Sequence, residues 1–284
     1  MKIVYVILHY NTIKDTIECV NSIVHTQKKG TFEIVIVDNK SPNGSGNELL
    51  KKYSMENYIH IILNDENAGF ARGNNIGFSY AKYKLTADFI VMINNDILLL
   101  QDSFQTDIVE EYKKNHYAVL GPLIITPQGE SDANPGNNNL PSLKSLYSYQ
   151  VRLYVLLFLN YLYLDGLYKF IKKRITKSNI RRPSKIHIEN IQLHGCCWIF
   201  SPTFIKLFNG INDQTFLYRE EELLFLQLKR NNLKSLFSPK IKIFHKEDSA
   251  TQSITLKKHE KRRFLYLQYI RSTWILIKEI KRPF

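Results

Sequence analysis

The stretch NDENAGFARGNNIG, residues 64–77, follows an apolar segment and runs into a helical pattern. Asparagine and glycine are typical of turns, because both tolerate backbone conformations that other residues avoid. The stretch also carries Phe70, which we expect to anchor the turn in the core, and a single cation, Arg72. We expect a helix to begin near Gly73, and a cation beside the free N–H groups of a helix N-terminus makes an anion site. The stretch therefore predicts a strand-to-helix turn that faces an anionic ligand.

Apolar segments on both sides of this turn have the character of buried strands. They read KIVYVILHY (2–10), FEIVIVD (32–38), YIHIIL (58–63) and ADFIVMINND (87–96). Near-continuous runs of this kind are typical of parallel strands whose two faces are both covered. Helical patterns separate them, including one that we expect to begin at Thr12 with a capping box and one with Ile76 on its inner face. The order predicts an α/β fold with a mostly parallel sheet flanked by helices.

Polar residues follow these strands where each one ends, as Tyr10–Asn11, Asp38–Asn39 and Asn95–Asp96. Ligands of such sheets bind at the carboxyl ends of the strands. Asp38 could accept hydrogen bonds from a base or a ribose, and the oxygens of Asn95 and Asp96 suit Mg²⁺ or Mn²⁺. Each residue could instead serve only its own turn.

Two further candidates lie in the second half of the chain. Glu220 and Glu221 open a predicted helix, where acidic residues complement the helix dipole; one of them could instead be a general base. His245 follows an apolar strand and could be structural or could contact a metal or a phosphate.

The bulk composition narrows the class of protein. The chain has 284 residues, 44% of them apolar, and a formal net charge of +13, which favours anionic partners. The three cysteines show neither a disulfide pattern nor a zinc spacing, so we expect a reducing cytoplasm. MKIVYVILHYN indicates a strand and not a signal peptide. No zinc, helix-turn-helix or RNA-recognition pattern supports a nucleic-acid-binding alternative.

The order of the motifs resembles glycosyltransferase family 2, the inverting GT-A enzymes, and within it the rhamnosyltransferase-like bacterial branch. The matching pieces are VILHYN, IVIVDNKSPNGS, NAGFARGNNIG, VMINND, HGCCWIFSP, FLYREEELLFLQLKRN and IKIFH. The resemblance implies a GT-A Rossmann-like sheet with a C-terminal helical extension. It implies a transferase domain over 1–245, with a donor half (1–125), an acceptor half (126–245) that includes an apolar helical insert (142–176), and a basic helical region over 246–284.

The resemblance also implies roles for the candidate residues. The expected nucleotide-sugar contacts are Tyr10, Asn11, Asp38, Asn39, Gly69, Arg72, Asn75, Asn95 and Asp96. Asp96 and His245 would bind a divalent metal, Mn²⁺ or Mg²⁺. Glu221 takes the position of the catalytic base, with Glu220 as the alternative.

The implied reaction moves a sugar from a UDP- or dTDP-linked donor to a hydroxyl of a glycan or a lipid-linked oligosaccharide, with inversion, in bacterial surface polysaccharide or capsule synthesis. The metal motif departs from the family pattern, because Asn94-Asn95-Asp96 contains one carboxylate. A catalytically weak or inactive nucleotide-sugar-binding protein is therefore an alternative, and a nucleic-acid-binding protein is a more distant one.

Two basic, aromatic-rich segments bear on the acceptor, RLYVLLFLNYLYLDGLYKFIKKR (152–174) and KRRFLYLQYIRSTWILIKEIKR (261–282). Such composition suits helices that lie on an anionic membrane surface. We expect peripheral contact at the inner face of the plasma membrane, with a lipid-linked acceptor. The alternative is a pair of packed helices that cover the sheet, and the oligomeric state is left open.

Overall fold

A computed structural model of the chain describes residues 1–166, 184–246 and 257–283. The last part of the expected apolar insert, residues 167–176, lies outside the described residues. The beginning of the expected C-terminal region, residues 247–256, also lies outside them.

The strands and helices follow the predicted alternation through the first half of the chain. The strands are β1 (Ile3–His9), β2 (Phe32–Asp38), β3 (Ile59–Leu63), β4 (Phe89–Asn94), β5 (Ile97–Leu99), β6 (Val119–Thr126), β7 (Gly129–Glu130), β8 (Ile188–Glu189), β9 (Cys197–Phe200) and β10 (Ser235–His245). The helices are α1 (Ile13–Thr26), α2 (Ser45–Lys52), α3 (Gly69–Tyr83), α4 (Phe104–Asn115), α5 (Leu143–Tyr161), α6 (Pro202–Leu207), α7 (Glu220–Arg230) and α8 (Lys258–Lys281).

Within the described residues, one sheet has the strand order β3-β2-β1-β4-β9-β6-β10-β5, with β7 paired to β6 and β8 to β10. The first four strands are parallel to one another. β9 is antiparallel to both β4 and β6, and β5 is antiparallel to β10, whereas β10 and β6 are parallel. The predicted α/β fold with a mostly parallel sheet is confirmed.

The central strand β1 is covered on both faces, which explains its unbroken apolar sequence. Tyr5 and Ile7 belong to the core on one side of the sheet, with Cys19 and Ile23 of α1. Residues that alternate with them, such as Val6, belong to the core on the other side. Successive side chains of a strand point to opposite faces, so both sets must be apolar.

The predicted start of α3 is wrong by one turn, because the helix begins at Gly69 and not near Gly73. The Gly69 N–H donates to the side-chain oxygen of Asn67 (3.0 Å), and the Phe70 N–H donates to the Phe216 carbonyl (2.8 Å). These partners satisfy N–H groups that a helix cannot pair internally, so a sequence that resembles a loop is helical here. The predicted inward position of Ile76 is also wrong, since its side chain is exposed.

Thr12 precedes α1 as predicted, but its side chain makes no capping hydrogen bond. Its hydroxyl instead accepts from the Asn95 amide at 2.7 Å. The expected capping box is therefore absent, because the hydroxyl connects α1 to the end of β4.

The long helices α5 and α8 pack against each other and against α7. Leu153 and Tyr266 belong to one apolar cluster between α5 and α8. Leu146, Leu223 and Leu276 belong to a second cluster that also includes α7. No helix among the described residues is both long enough and apolar enough to cross a bilayer.

Candidate active site

The polar strand ends predicted to meet do lie side by side. His9 of β1 is in register with Asp38 of β2, and Leu8 of β1 is in register with Asn94 of β4. The residues that follow these strands therefore share one edge of the sheet, which we call the strand-end edge.

Asp38 is buried at this edge, and its surroundings fix its side chain. Its carboxylate accepts from the Ser41 backbone and hydroxyl. A Cβ on Gly46 would lie 2.3 Å from Asp38 Oδ2, so the carboxylate rests directly on the first turn of α2. Asp38 is thus fixed in position by a turn on one side and a glycine on the other.

Asn39 and Asn95 use their amide groups to hold turns. Asn39 donates to Asn67 Oδ1 (2.9 Å) and the Gly69 carbonyl (3.1 Å), and its oxygen accepts from the backbone N–H of Ala68 (3.0 Å). Asn95 donates to the hydroxyls of Thr12 and Thr16. Both side chains are buried, so their direct contribution is to position this edge.

The other predicted donor contacts are arranged differently. Asn11 has a positive φ of 64°, and its N–H donates to the Ser41 hydroxyl, which shapes the loop after Tyr10. Arg72 is exposed in the first turn of α3. Asn75 pairs its amide with both backbone groups of Ile211 (2.8 and 2.9 Å), and it joins α3 to the segment after α6.

Sequence reasoning missed His9, the last residue of β1, which connects the strand-end edge to α1 and α2. Its ring nitrogens contact the hydroxyls of Thr16 and Ser45, both at 2.7 Å. Burial lowers the pKa of His9 to about 4, so the ring is neutral at physiological pH. The only sequence signal is a histidine at the end of an apolar strand.

A pocket of about 660 Å³ opens beside this edge. It is lined by Phe70, Asn94, Tyr149, His194, Gly195, Cys196, Trp198, Leu217, Tyr218, Arg219, Glu220, Glu221, Glu222 and Tyr269. The pocket therefore combines the end of β4, the segment before β9, the start of α7 and both long helices. Of the predicted site residues, only the two catalytic candidates line it.

Glu221 extends into this pocket with one carboxylate oxygen held in place. Glu221 Oε1 accepts from the Gly195 N–H at 2.7 Å and lies 3.9 Å from His194 Nε2. Burial raises the pKa of Glu221 to about 7, and the neighbouring Glu222 and Glu220 add to that rise. A carboxylate with a pKa near neutrality can accept a proton at physiological pH.

Glu220 is more enclosed. Its side chain accepts from the Thr215 hydroxyl at 2.9 Å, and burial raises its pKa to about 7. Only 7% of Glu220 is exposed, whereas 40% of the Glu221 side chain is open to solvent. The geometry therefore favours Glu221 for contact with a substrate.

His194, which sequence reasoning also missed, lies between Glu221 and the predicted metal residues. The Cys196 N–H donates to His194 Nδ1 (3.2 Å), which places the ring proton on Nε2, the atom that faces Glu221. Burial, with a contribution from nearby His245, lowers the pKa of His194 to about 4. The HG that precedes the Cys-Cys strand was the only signal available.

Asp96 and His245 come together as predicted, although 149 positions separate them along the chain. Asp96 Oδ2 lies 3.4 Å from His245 Nε2, a separation that two ligands of one cation can have. The pair therefore fits a divalent metal. Among the described residues, no group of three or more His, Cys, Asp or Glu could hold a metal. Substrate phosphates and water would complete the shell, as is usual for Mg²⁺.

The sequence profile of Glycosyl transferase family 2 matches residues 5–208, which include the whole strand-end edge and the segment around His194. The chain belongs to glycosyltransferase family 2. The match ends before Glu220, Glu221 and His245, so the roles of these three residues rest on their geometry.

Curated relatives from two organisms are glycosyltransferases. The low-salt glycan biosynthesis hexosyltransferase Agl10 of Haloferax volcanii is 21% identical over 214 residues, covering 74% of this chain and 57% of the relative. Glycosyltransferase GlyG of Streptococcus pneumoniae serotype 4 is 29% identical over 126 residues, covering 44% of this chain and 39% of the relative. The chain thus spans less than two thirds of the length of either relative.

Solved structures share the fold at low identity. GalNAc-T7 with UDP, GalNAc and Mn²⁺ superposes with a TM-score of 0.60 at 13% identity, covering 88% of this chain and 44% of that one. Staphylococcus aureus TarS 1–349 with UDP-GlcNAc gives a TM-score of 0.54 at 15% identity, covering 95% and 72%. The predicted GT-A fold is confirmed.

In this family 2 chain, three tyrosines from distant segments form one wall of the pocket, which we call the tyrosine wall. The rings of Tyr218 and Tyr269 stack at 3.8 Å with 7° between their planes, and Tyr149 packs edge-on against Tyr269. Tyr149 belongs to α5 and Tyr269 to α8, so both long helices contribute to the pocket.

Arg219 holds this wall in place. Its guanidinium contacts Glu222, the Thr273 hydroxyl of α8 and the face of Tyr149. Tyr218 and Arg219 both have positive φ angles, 75° and 72°, immediately before α7. Two consecutive non-glycine residues in the left-handed backbone region are strained. The contacts of Arg219 oppose this strain where α7 begins.

Proposed function

We propose that this family 2 member is an inverting hexosyltransferase. It moves a sugar from a nucleotide diphosphate sugar, UDP- or dTDP-linked, to a hydroxyl of a glycan or lipid-linked oligosaccharide during bacterial surface polysaccharide or capsule synthesis. One observation carries the proposal. Glu221 lines an open pocket beside the strand-end edge, is oriented by the Gly195 N–H, and has a pKa of about 7.

The reaction is a single displacement. Glu221 takes the proton of an acceptor hydroxyl, and the oxygen attacks the anomeric carbon as the bond to the diphosphate breaks. Attack from the face opposite the leaving group inverts the configuration. Neutral His194 lies beside this base, with its Nε2 3.9 Å from the Glu221 carboxylate.

Asp96 and His245 would hold a divalent cation, Mn²⁺ or Mg²⁺, next to His194 of the pocket, whose ring centroid lies 6.1 Å from that of His245. When bound, such a cation neutralises charge on the departing diphosphate. GalNAc-T7 was solved with UDP and Mn²⁺ and TarS with UDP-GlcNAc, which makes a UDP-linked donor with Mn²⁺ the first combination to test.

The tyrosine wall suits a sugar acceptor. The apolar C–H face of a pyranose packs well on an aromatic ring, whose face carries partial negative charge. Tyr218 and Tyr269, stacked on each other, line the pocket together with Glu221. We therefore assign the donor to the half formed by residues 1–125 and the acceptor to residues 126–245, with 246–284 as a helical region that completes the acceptor side.

We also propose that the enzyme works in the cytoplasm, in peripheral contact with the inner face of the plasma membrane. The support is the aromatic, acid-free sequence of α5, the basic, aromatic sequence of α8, and the position of both helices at the acceptor side of the pocket. A lipid-linked acceptor would be presented at that surface.

A thermal-shift panel of UDP, dTDP and their sugars, with and without Mn²⁺, tests the donor and the metal together. We expect a UDP or dTDP compound to raise the melting temperature more with Mn²⁺ than without it. A panel without any shift would contradict the proposal.

The single carboxylate of Asn94-Asn95-Asp96 favours one second candidate, a donor-binding protein with weak or no catalysis. Donor-dependent shifts without release of nucleotide diphosphate in the presence of glycan acceptors would favour it over the transferase.

A further inference from the structure

Helix α5 has a second apolar row that faces away from the other elements that the structure describes. The row, which we call the outer stripe, consists of Tyr147, Val151, Tyr154, Val155, Phe158, Tyr161 and Leu162, all of them exposed. The buried residues of α5, including Leu146, Leu153 and Leu156, lie on a different side of the helix and pack against α7 and α8. At 1.5 Å per residue the outer stripe is about 22 Å long.

Helix α8 extends this surface with one aromatic residue and several cations. Trp274 is 42% exposed, donates from Nε1 to the Tyr154 hydroxyl (3.1 Å) and packs edge-on against Tyr147. Arg271, Lys278 and Lys281 are exposed, and their spacing places them on the Trp274 side of α8. We call the outer stripe together with Trp274 and these three cations the outer face.

The positive charges of the outer face favour an anionic partner. Helix α5 contains no Asp or Glu, and Glu279, close to this part of α8, is buried and bonded to Arg230 and Arg282. A second copy of the chain docked on the same face would bring like charges together. An anionic lipid surface would neutralise the cations, and tyrosine and tryptophan side chains suit the boundary between headgroups and acyl chains.

We propose that the outer face is the membrane-binding surface of the chain, with the outer stripe and Trp274 inserted among the acyl chains of anionic phospholipid. The cations beside Trp274 would contact the headgroups. This inference rests on the peripheral location in the proposed function and adds the surface, the lipid charge and the orientation.

The orientation follows from the geometry of α5. Tyr149, in the wall of the pocket, and Phe158, in the outer stripe, are two and a half helical turns apart, so they lie on opposite sides of the helix. One helix diameter, about 10 Å, therefore separates the lipid from the pocket. The saccharide of a membrane-anchored acceptor would have to pass around α5 to reach Glu221.

Flotation with vesicles of phosphatidylglycerol and phosphatidylcholine tests the surface directly. We expect the full chain to bind these vesicles at low salt, and the double variant Val151→Ser/Phe158→Ser to bind at least roughly tenfold less. The matched control is Met55→Ser/Leu207→Ser, which removes two exposed apolar side chains elsewhere and should bind like wild type. Lys278→Gln/Lys281→Gln should lose about fivefold per cation, and only with anionic vesicles.

Tryptophan fluorescence tests the orientation. The chain has two tryptophans, Trp274 in the outer face and fully buried Trp198. Lipids with brominated acyl chains should quench Trp274, and the variant Trp274→Phe should lose that quenching.

Several results would overturn the proposal. These are equal vesicle binding by wild type and the Val151→Ser/Phe158→Ser variant, absence of quenching in vesicle-bound wild type, or a dimer that becomes monomeric in the same variant. The last result would assign the outer face to a second copy of the chain. UDP-induced thermal shifts of the same proteins report on the donor site separately, so a failed membrane experiment and a failed transferase assignment can be told apart.

Discussion

The strand-end edge and the pocket beside it contain similar kinds of residue but use them differently. At the edge, the side chains of Asp38, Asn39 and Asn95 are all buried. Asp38 is hydrogen-bonded within its own turn, Asn39 to the turn before α3, and Asn95 to α1. In the pocket, Glu221 and His194 are partly open to solvent. Burial raises the pKa of Glu221 to about 7 and lowers the pKa of His194 to about 4, so it favours the neutral form of each group. The residues of the edge hold the loops of the site in place, whereas the pocket contains groups with pKa values suited to proton transfer.

This difference teaches that the motif residues of one family can either hold the structure of the site or take part in the chemistry. A substitution in the pocket should impair chemistry with little effect on folding. A substitution at the edge should act through the geometry of the turns and the stability of the fold.

The sharpest test is Glu221→Gln. We expect a loss of roughly 10³-fold in turnover, because the amide cannot accept the acceptor proton. Donor binding, measured by thermal shift, should be retained. The matched control is Glu220→Gln, which should keep most activity; if Glu220→Gln were the inactive variant, the assignment of the base would be wrong.

Asp96→Ala tests the proposed metal site at the strand-end edge. We expect turnover to fall by on the order of a hundredfold and to lose its dependence on Mn²⁺, because a carboxylate ligand of the cation is removed. Asp102→Ala, an exposed acid beyond β5, is the control in the same metal titration. Activity with an unchanged Mn²⁺ response in Asp96→Ala would remove the metal role.

Gly69→Ala tests the edge as a support. Gly69 has a φ of 80°, and an added Cβ would lie 2.5 Å from the Phe216 carbonyl oxygen. We expect the free energy of unfolding to fall by about 2–3 kcal/mol in denaturant titrations.

Gly30→Ala is the matched control, because Gly30 has a similar φ of 85° with no atom near the added Cβ. It should cost about 1 kcal/mol, the backbone contribution alone. Equal losses for the two variants would mean that the contact with Phe216 contributes nothing.

The pH dependence tests the pocket with the smallest expected effect. Because the pKa of Glu221 is raised to about 7, the base is protonated below that pH, and turnover should fall roughly tenfold for each unit of further acidification. His194 stays neutral until about pH 4, so it should not contribute to this fall. The inflection should persist in Glu220→Gln, and its loss there would assign it to Glu220.

Much of the architecture could be predicted because the buried strands are nearly continuous apolar runs with polar residues at their ends. The pairing of Asp96 with His245 followed from the family motifs. The hydrogen-bond partners of the asparagines could not be predicted, because an amide group can bond equally well to the backbone of a turn or to a ligand. The early start of α3 depended on the Phe216 carbonyl, which is distant in sequence.

The tyrosine wall was beyond sequence reasoning for another reason. Tyr149 and Tyr269 are 120 positions apart, and each occurs in a helix rich in tyrosine and apolar residues. Helical periodicity distinguishes a buried side from an exposed side. It does not show which tyrosines of two helices meet in a pocket.

The contact between Gly69–Phe70 and the Phe216 backbone has a practical consequence for protein engineering. The segment 64–77 and the loop that leads into Glu220 touch through backbone atoms, with no room for a side chain between them. A chimera that exchanges 64–77 with a relative, in order to change the donor, would disturb the start of α7. The two segments should therefore be exchanged together, as one cassette.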